Sequence, residues 1–272
     1  MKKEQAIVRP VRGGQFNFKQ SRFEQMPRIP FRILCSGRSQ SGKGCCLSCA
    51  VLDQYRFCFR KIVILSRTAK LDPTYEGIVE YAQKHLKQDN RESQFIFTDF
   101  ASDELTKIVE DWSSIVAREK RQRKEDNSKA PLSSMLIIVD DMSDSPSLRL
   151  RGESILSKLF YSGRHVGIST WLNVHDLVSA GTMLRRNASA LIIFKLTSGS
   201  AYEKLRDEYS HLVGKEAFDE IYDTAVGKRA KPYSFLVIFP HEQDRSKMFL
   251  QRWDTRLVVE DSDDDDQRSL LA

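Results

Sequence analysis

Short runs of uninterrupted apolar residues alternate along the chain with stretches in which apolar positions recur at helical spacing. Phe31 to Cys35, Lys61 to Leu65 and Met135 to Val139 read as short buried strands, Met135 to Val139 being the most hydrophobic. Gln94 to Thr98 alternates like a strand, and further strands are predicted at Val166 to Leu172, Leu191 to Phe194 and Phe235 to Phe239, the last closing the series. Between them, helix is predicted from the end of the small-residue loop Ser36 to Gly44 through Tyr55, from Thr74 to Leu86 and from Glu153 to Tyr161. The best-marked helix starts at Ser102, an N-cap followed by Asp103 and Glu104. Leu105, Ile108, Val109, Trp112, Ile115 and Val116 then recur on one face. Arg118 to Lys129 contains no apolar residue and is predicted to be a solvated basic loop. Strands apolar on both faces, alternating with helices, imply an α/β fold with a mainly parallel central sheet flanked by helices on both faces.

The chain of 272 residues is long enough for one such sheet to be fully covered without stapling chemistry. Its ends differ in charge. Residues 1 to 29 carry scattered Lys and Arg with Gly13-Gly14, Pro10 and Pro27, are followed by Pro30, and read as an extended basic arm. Residues 260 to 272 hold six acids against one base and read as an acidic disordered tail, leaving 30 to 259 as the folded domain. The formal charge is +6 overall and +11 once the tail's −5 is set aside, a balance that suits a polyanionic partner. No run of 18 apolar residues exists, and Met1 to Gln5 has no apolar core, so neither a membrane span nor a signal peptide is expected. Cys35, Cys45, Cys46, Cys49 and Cys58 lie in the first quarter with no second cluster to complete a metal site. They read as reduced thiols, and the helical Cys45, Cys46 and Cys49 as buried packing residues in preference to a redox pair or half a zinc site at Cys46-x-x-Cys49.

Gly37-Arg38-Ser39-Gln40-Ser41-Gly42-Lys43-Gly44 fits the phosphate-loop pattern Gly-x-x-x-x-Gly-Lys except at its last place, where Ser or Thr is expected. The loop follows a strand and opens a helix, so its backbone N–H groups, including that of Cys45, can converge on phosphate at a helix N-terminus. Lys43 would neutralise the β and γ phosphates of ATP. About a hundred residues on, Leu136-Ile137-Ile138-Val139-Asp140-Asp141 is a strand ending in two carboxylates, and in a parallel sheet that end lies beside the loop. Asp140 would hold Mg²⁺, directly or through water, and Asp141 would orient or activate the attacking water. Gly44 and Cys45 offer no hard oxygen to complete the metal shell, so Ser41, Ser48 or an extra water would have to serve.

With these motifs the sequence resembles the poxvirus-type genome-packaging ATPases of the FtsK/HerA superfamily, over about Phe31 to Phe239. The likeness extends to Tyr161-Ser162-Gly163-Arg164-His165-Val166-Gly167-Ile168-Ser169, similar to the family's Gly-Arg-His-x-x-Ile-Ser segment, and to Leu184-Arg185-Arg186-Asn187, similar to its Arg-x-Asn turn. The resemblance implies a RecA-like P-loop domain that forms a homo-oligomeric ring around double-stranded DNA and packages it, sequence-independently, into a capsid through a capsid or portal-vertex protein. It implies action in the host-cell cytoplasm or viral factory, or in the virion, and no secretion. Where the family has Gln contacting the γ-phosphate or the water, this chain has His175, with Asn173 the near alternative. In such rings a neighbouring subunit supplies an arginine, for which Arg164, Arg185 and Arg186 are candidates. His165 reads as structural. The basic loop and arm are candidate DNA contacts. The alternative reading is a nucleotide-binding ring or assembly subunit with little or no hydrolysis, because Gly44 replaces the Mg²⁺-binding Ser/Thr. A small-molecule kinase fits less well, Arg118 to Lys129 being too polar for a lid.

Overall fold

The computed structural model describes residues 17–99, 102–142 and 154–258. Residues 1–16 of the predicted arm, the predicted acidic tail and Glu153 lie outside them.

The chain runs β1 (Arg32–Ser36), α1 (Lys43–Cys49), a π-helical turn (Ala50–Gln54), β2 (Lys61–Ser66) and a 3-10 turn (Pro73–Tyr75) leading into α2 (Glu76–Leu86). Then come β3 (Ile96–Phe97), α3 (Ser102–Glu125), β4 (Met135–Asp140), α4 (Ile155–Ser162), β5 (Ile168–Val174), α5 (Thr182–Asn187) and β6 (Ala190–Phe194). The chain continues with α6 (Gly199–Tyr209), α7 (Lys215–Val226), β7 (Phe235–Ile238), β8 (Phe249–Gln251) and β9 (Thr255–Arg256). The strands form a single sheet in the order β3-β2-β4-β5-β1-β6-β7-β8-β9. Pairing is parallel from β3 to β6 and antiparallel from β6 to β9.

Alternate residues of each central strand feed two separate cores, which is why the strands read as continuous apolar runs. Ile33, Ile62, Ile64, Ile138, Trp171 and Ile192 pack against α1, the π-helical turn and α2. Leu34, Val63, Leu65, Ile137, Leu172 and Leu191 pack against α3, α4, α6 and α7. Each such side chain, fully withdrawn from water, contributes about 1.5–3 kcal/mol. Helices therefore do cover both faces.

Four details differ from expectation. The segment after residue 16 is no arm: Met26 and Ile29 are buried, Tyr55 Oη donates to the Pro27 carbonyl at 2.7 Å, and Phe18 bridges to Leu132. The predicted loop from Arg118 is helical through Glu125 as the end of α3. Arg, Lys, Glu and Gln are strong helix formers whatever their polarity, and this stretch is tied back to the domain. Glu119 accepts from Ser133 N at 2.9 Å and Ser133 Oγ at 2.6 Å, and Lys120 donates to the His165 carbonyl at 2.7 Å. Third, α6 and α7 occupy a stretch with no predicted element. Fourth, β7 does not end the sheet, because β8 and β9 extend it.

Candidate nucleotide-binding site

The loop from Gly37 leaves the C-terminal end of β1 and turns into α1 at Gly42, whose φ of 102° lies in the left-handed region that side chains avoid. Gly37 is required by contact: a Cβ there would meet Ser41 Oγ at 2.7 Å and Phe194 Cβ at 2.8 Å. Lys43, the first residue of α1, is buried and donates from Nζ to the carbonyls of Gly37 and Arg38, the latter at 2.9 Å. Burial pulls its ammonium below the ordinary lysine pKa, while Cys35, Asp140 and Asp141 push it the other way.

Beneath the loop opens a cavity of about 830 Å³, within the range of about 300–1,000 Å³ of small-molecule and cofactor sites. Ser39, Gln40 and Gly42 to Cys45 line it, whereas Gly37, Arg38 and Ser41 do not. Cys45 and Cys49 are exposed and line the same cavity, so of the helical cysteines only Cys46 is the buried packing residue expected. Burial pushes the Cys46 thiol up to about 12.

Asp140 and Asp141 also line the cavity, but not from the strand adjoining the loop. β5 lies between β1 and β4, so both carboxylates face the loop across the end of β5, where His175 stands. Asp140 is buried and oriented: Oδ1 accepts the Asp141 N–H at 2.9 Å and Oδ2 accepts the Tyr75 hydroxyl at 2.6 Å. Burial, and then the Asp140 charge, push the Tyr75 phenol far up, which keeps it a proton donor. Asp141, at φ 53°, takes the left-handed turn that Asp tolerates better than most residues. Its Oδ2 accepts from Thr68 Oγ1 at 2.8 Å and its Oδ1 lies 3.0 Å from His175 Nε2.

Of the two residues at the end of β5, His175 lines the cavity and Asn173 does not. Asn173 is buried in the strand with Oδ1 accepting from Trp171 Nε1 at 2.8 Å. The arginine candidates also separate. Arg185 is buried and committed within its own chain, donating from Nε and Nη2 to the two carboxylate oxygens of Glu208 at 2.7 Å each and from Nη1 to the Ala180 carbonyl. It is a structural fork. Arg186 and Arg164 are exposed, Arg164 in the 3-10 turn before β5, at the opposite end of that strand from His175. The His165 side chain is exposed and its Nε2 accepts from Arg164 Nε at 3.5 Å, while its backbone carbonyl holds Lys120. The turn is also fixed by Gly167, at φ 68°, where a Cβ would meet Phe18 at 2.5 Å and the Ser133 carbonyl at 2.9 Å.

Another wall of the cavity comes from the ends of two predicted strands, at Phe194 and Phe235, together with turns the sequence pattern did not single out. Phe194, Tyr233, Phe235 and the Arg252 to Asp254 turn between β8 and β9 line it. The Phe194 and Phe235 rings lie 5.2 Å apart, and those of Phe235 and Trp253 5.6 Å. An aromatic wall beside a phosphate loop is suited to a nucleobase.

Comparison with known proteins bears on the fold and the family. The structure is similar to the genome packaging NTPase B204 of Sulfolobus turreted icosahedral virus 2 in complex with AMP, with TM-score 0.51, 13% identity and coverage of 85% of this chain and 98% of that one. It is equally similar to B204, the DNA-packaging ATPase of Sulfolobus turreted icosahedral virus, with TM-score 0.51, 14% identity and coverage of 86% and 100%. The pCW3 conjugation coupling protein TcpA, solved with ATPγS, matches with TM-score 0.51, 13% identity and coverage of 90% and 66%. At these identities the likeness is one of fold. No significant match is found among curated protein sequences. Among the described residues, no helix is long and apolar enough to cross a membrane. The sequence profile described as "Poxvirus A32 protein" matches residues 17–215, and the chain belongs to that family.

Proposed function

We propose that this chain is the ATP-driven motor that packages a viral genome, hydrolysing ATP to move double-stranded DNA into a capsid. The observation that carries this reading is the convergence on one cavity of the phosphate loop, the carboxylate pair ending β4, His175 and an aromatic wall. Family membership, and the packaging NTPases among the proteins of like fold, support it.

In this reading the loop N–H groups and the start of α1 cradle the phosphates, and Lys43 exchanges its loop carbonyls for phosphate oxygens. Trp253 and its aromatic neighbours hold the base. Mg²⁺ accompanies the nucleotide. The buried Asp140 carboxylate, held in place by the Tyr75 hydroxyl and a backbone N–H, is a hard oxygen donor of the kind that ion takes. The ion supplies neutralisation of the phosphate charge. Asp141, held by Thr68 and flanked by His175, orients the attacking water and accepts its proton. With Arg185 committed to Glu208, an arginine reaching a neighbour's site in a ring would be Arg164 or Arg186. The subunits act as a homo-oligomeric ring, docked on a capsid or portal-vertex protein, in the cytoplasm, the viral factory or the virion.

The test is Mg²⁺-dependent phosphate release from ATP, with and without double-stranded DNA, beside Lys43→Ala. DNA-stimulated release that vanishes in the variant is expected. ATP binding without release above the variant would overturn the motor reading and leave the chain a nucleotide-binding ring or assembly subunit.

A further inference from the structure

Gly44 stands where a phosphate loop carries Ser or Thr, and the structure shows another residue filling the place. A Cβ built on Gly44 would meet Thr74 Oγ1 at 2.9 Å and Thr74 Cβ and Cγ2 at 3.4 Å. A serine at 44 would send its hydroxyl into the volume that the Thr74 side chain already occupies. Gly44 and Thr74 line the cavity together with Lys43, Asp140 and Asp141.

Thr74 is held there firmly. It lies in the Pro73–Tyr75 turn, where Asp72 Oδ1 accepts both the Thr74 N–H at 2.9 Å and the Thr74 hydroxyl at 2.8 Å. Ser48 Oγ, one helical turn beyond Gly44 in α1, donates to the Thr74 carbonyl. The next residue, Tyr75, donates to Asp140. One short turn thus delivers a hydroxyl to the phosphate loop and a phenol to the carboxylate that ends β4.

The chemistry of this hydroxyl matches what the loop lacks. Mg²⁺ takes oxygen ligands in near-octahedral geometry, and in P-loop proteins one of them is the hydroxyl following the lysine. Thr74 gives its hydroxyl proton to Asp72, so both lone pairs of Oγ1 remain to face a cation. The rival hydroxyls are placed less well. Ser41 Oγ lies beside Gly37 and Phe194, on the β6 flank of the loop and away from β4. Ser48 donates to the Thr74 backbone from outside the cavity lining.

We infer that Thr74 supplies the hydroxyl ligand of nucleotide-bound Mg²⁺ that Gly44 does not, so that this ligand comes from the turn after β2 and not from the loop. The inference rests on the nucleotide-binding reading above and sharpens it.

The test is the affinity of the full chain for ATPγS with Mg²⁺ and in EDTA, together with the hydration number of Mn²⁺ bound with ATPγS, read by electron paramagnetic resonance. Wild type is expected to bind about 10- to 100-fold more tightly with Mg²⁺. Thr74→Val is expected to lose that increment and to show one more water on Mn²⁺. Thr74→Ser should keep the increment, and Gly44→Ser combined with Thr74→Ala should restore it by returning a hydroxyl to the loop. A Thr74→Val variant that retains the full increment with unchanged Mn²⁺ hydration overturns the inference. So does loss of binding in both conditions that neither rescue variant repairs, since that is a structural defect. If wild type binds ATPγS in neither condition, or Lys43→Ala binds as well as wild type, the nucleotide reading itself fails, which is a distinguishable result.

Discussion

At the residue scale the proposed reading of the site separates binding from chemistry. Lys43 and the loop glycines are placed for phosphate, whereas Asp141 is held between Thr68 Oγ1 and His175 Nε2 with its carboxylate on the cavity. Asp141→Asn keeps the shape and the contact with Thr68 but loses the base. Phosphate release is expected to fall about 10²- to 10⁴-fold, the usual contribution of a positioned proton acceptor. Nucleotide affinity should stay close to that of wild type, measured by titration beside single-turnover hydrolysis. An equal loss in both quantities would make Asp141 a binding residue instead. Most of this constellation was legible in the sequence, because Gly42-Lys43 and Asp140-Asp141 each sit where a strand ends. Two things were not. The choice between Asn173 and His175 turned on β5 running through Val174, beyond its predicted end at Leu172. The hydroxyl beside Gly44 comes from Thr74, thirty residues along the chain, and no local spacing announces it.

At the element scale, α5 and α6 are locked by a buried ion pair. Arg185 and Glu208 meet through two hydrogen bonds of 2.7 Å, with side chains 3% and 12% exposed. Burial raises the Glu208 pKa, but the hydrogen bonds and charge of Arg185, joined by Lys204, outweigh it and hold the carboxyl below its ordinary value. A carboxyl depressed in the folded state stabilises the fold fully above its unfolded pKa, about 4.3, and that stabilisation is lost as pH falls through the folded value. Arg185→Ala, which leaves Glu208 buried without its partner, is expected to cost about 3–5 kcal/mol at neutral pH, read by urea denaturation. The gap from wild type should narrow below about pH 4 as Glu208 protonates. A variant with wild-type stability and selective loss of turnover would return Arg185 to the catalytic candidates. The family-like turn containing Arg185 is thus visible in the sequence, but its role is set by Glu208 on a helix that was not predicted. α6 and α7 had usable signals, Ala201, Leu205 and Tyr209 at four-residue spacing and Phe218, Ile221 and Ala225 on one face. Their sparse apolar positions lie among many charges, which made them easy to pass over. α3 shows the converse. Its apolar face was plain, but its end was hidden, because a helix anchored by Glu119 and Lys120 continues after apolar residues stop.

At the scale of the whole molecule, the proposed motor reading assigns its two tasks to different parts of the surface. The cavity lined by the phosphate loop lies at the C-terminal ends of the parallel strands, and the polar end of α3 forms a charged rod held to the domain by Glu119 and Lys120. On that rod Arg118, Arg121 and Lys124 are exposed and recur every third residue, so they share one side, while Glu119, Lys120 and Arg123 are bonded to the domain. In the motor reading, a ring channel lined by such stripes would grip phosphates without reading bases. Replacing all three with Gln should leave DNA-independent phosphate release intact, since none lines the nucleotide cavity. Each phosphate contact contributes about 0.9 to the slope of log affinity against log salt concentration, so the slope should become shallower by about 2–3. Binding titrations on double-stranded DNA at several salt concentrations, beside DNA-stimulated hydrolysis, measure this directly. An unchanged slope would remove α3 from the DNA path. A shallower slope with DNA stimulation lost and basal hydrolysis kept would place this helix in the coupling between the ATP site and the translocated strand.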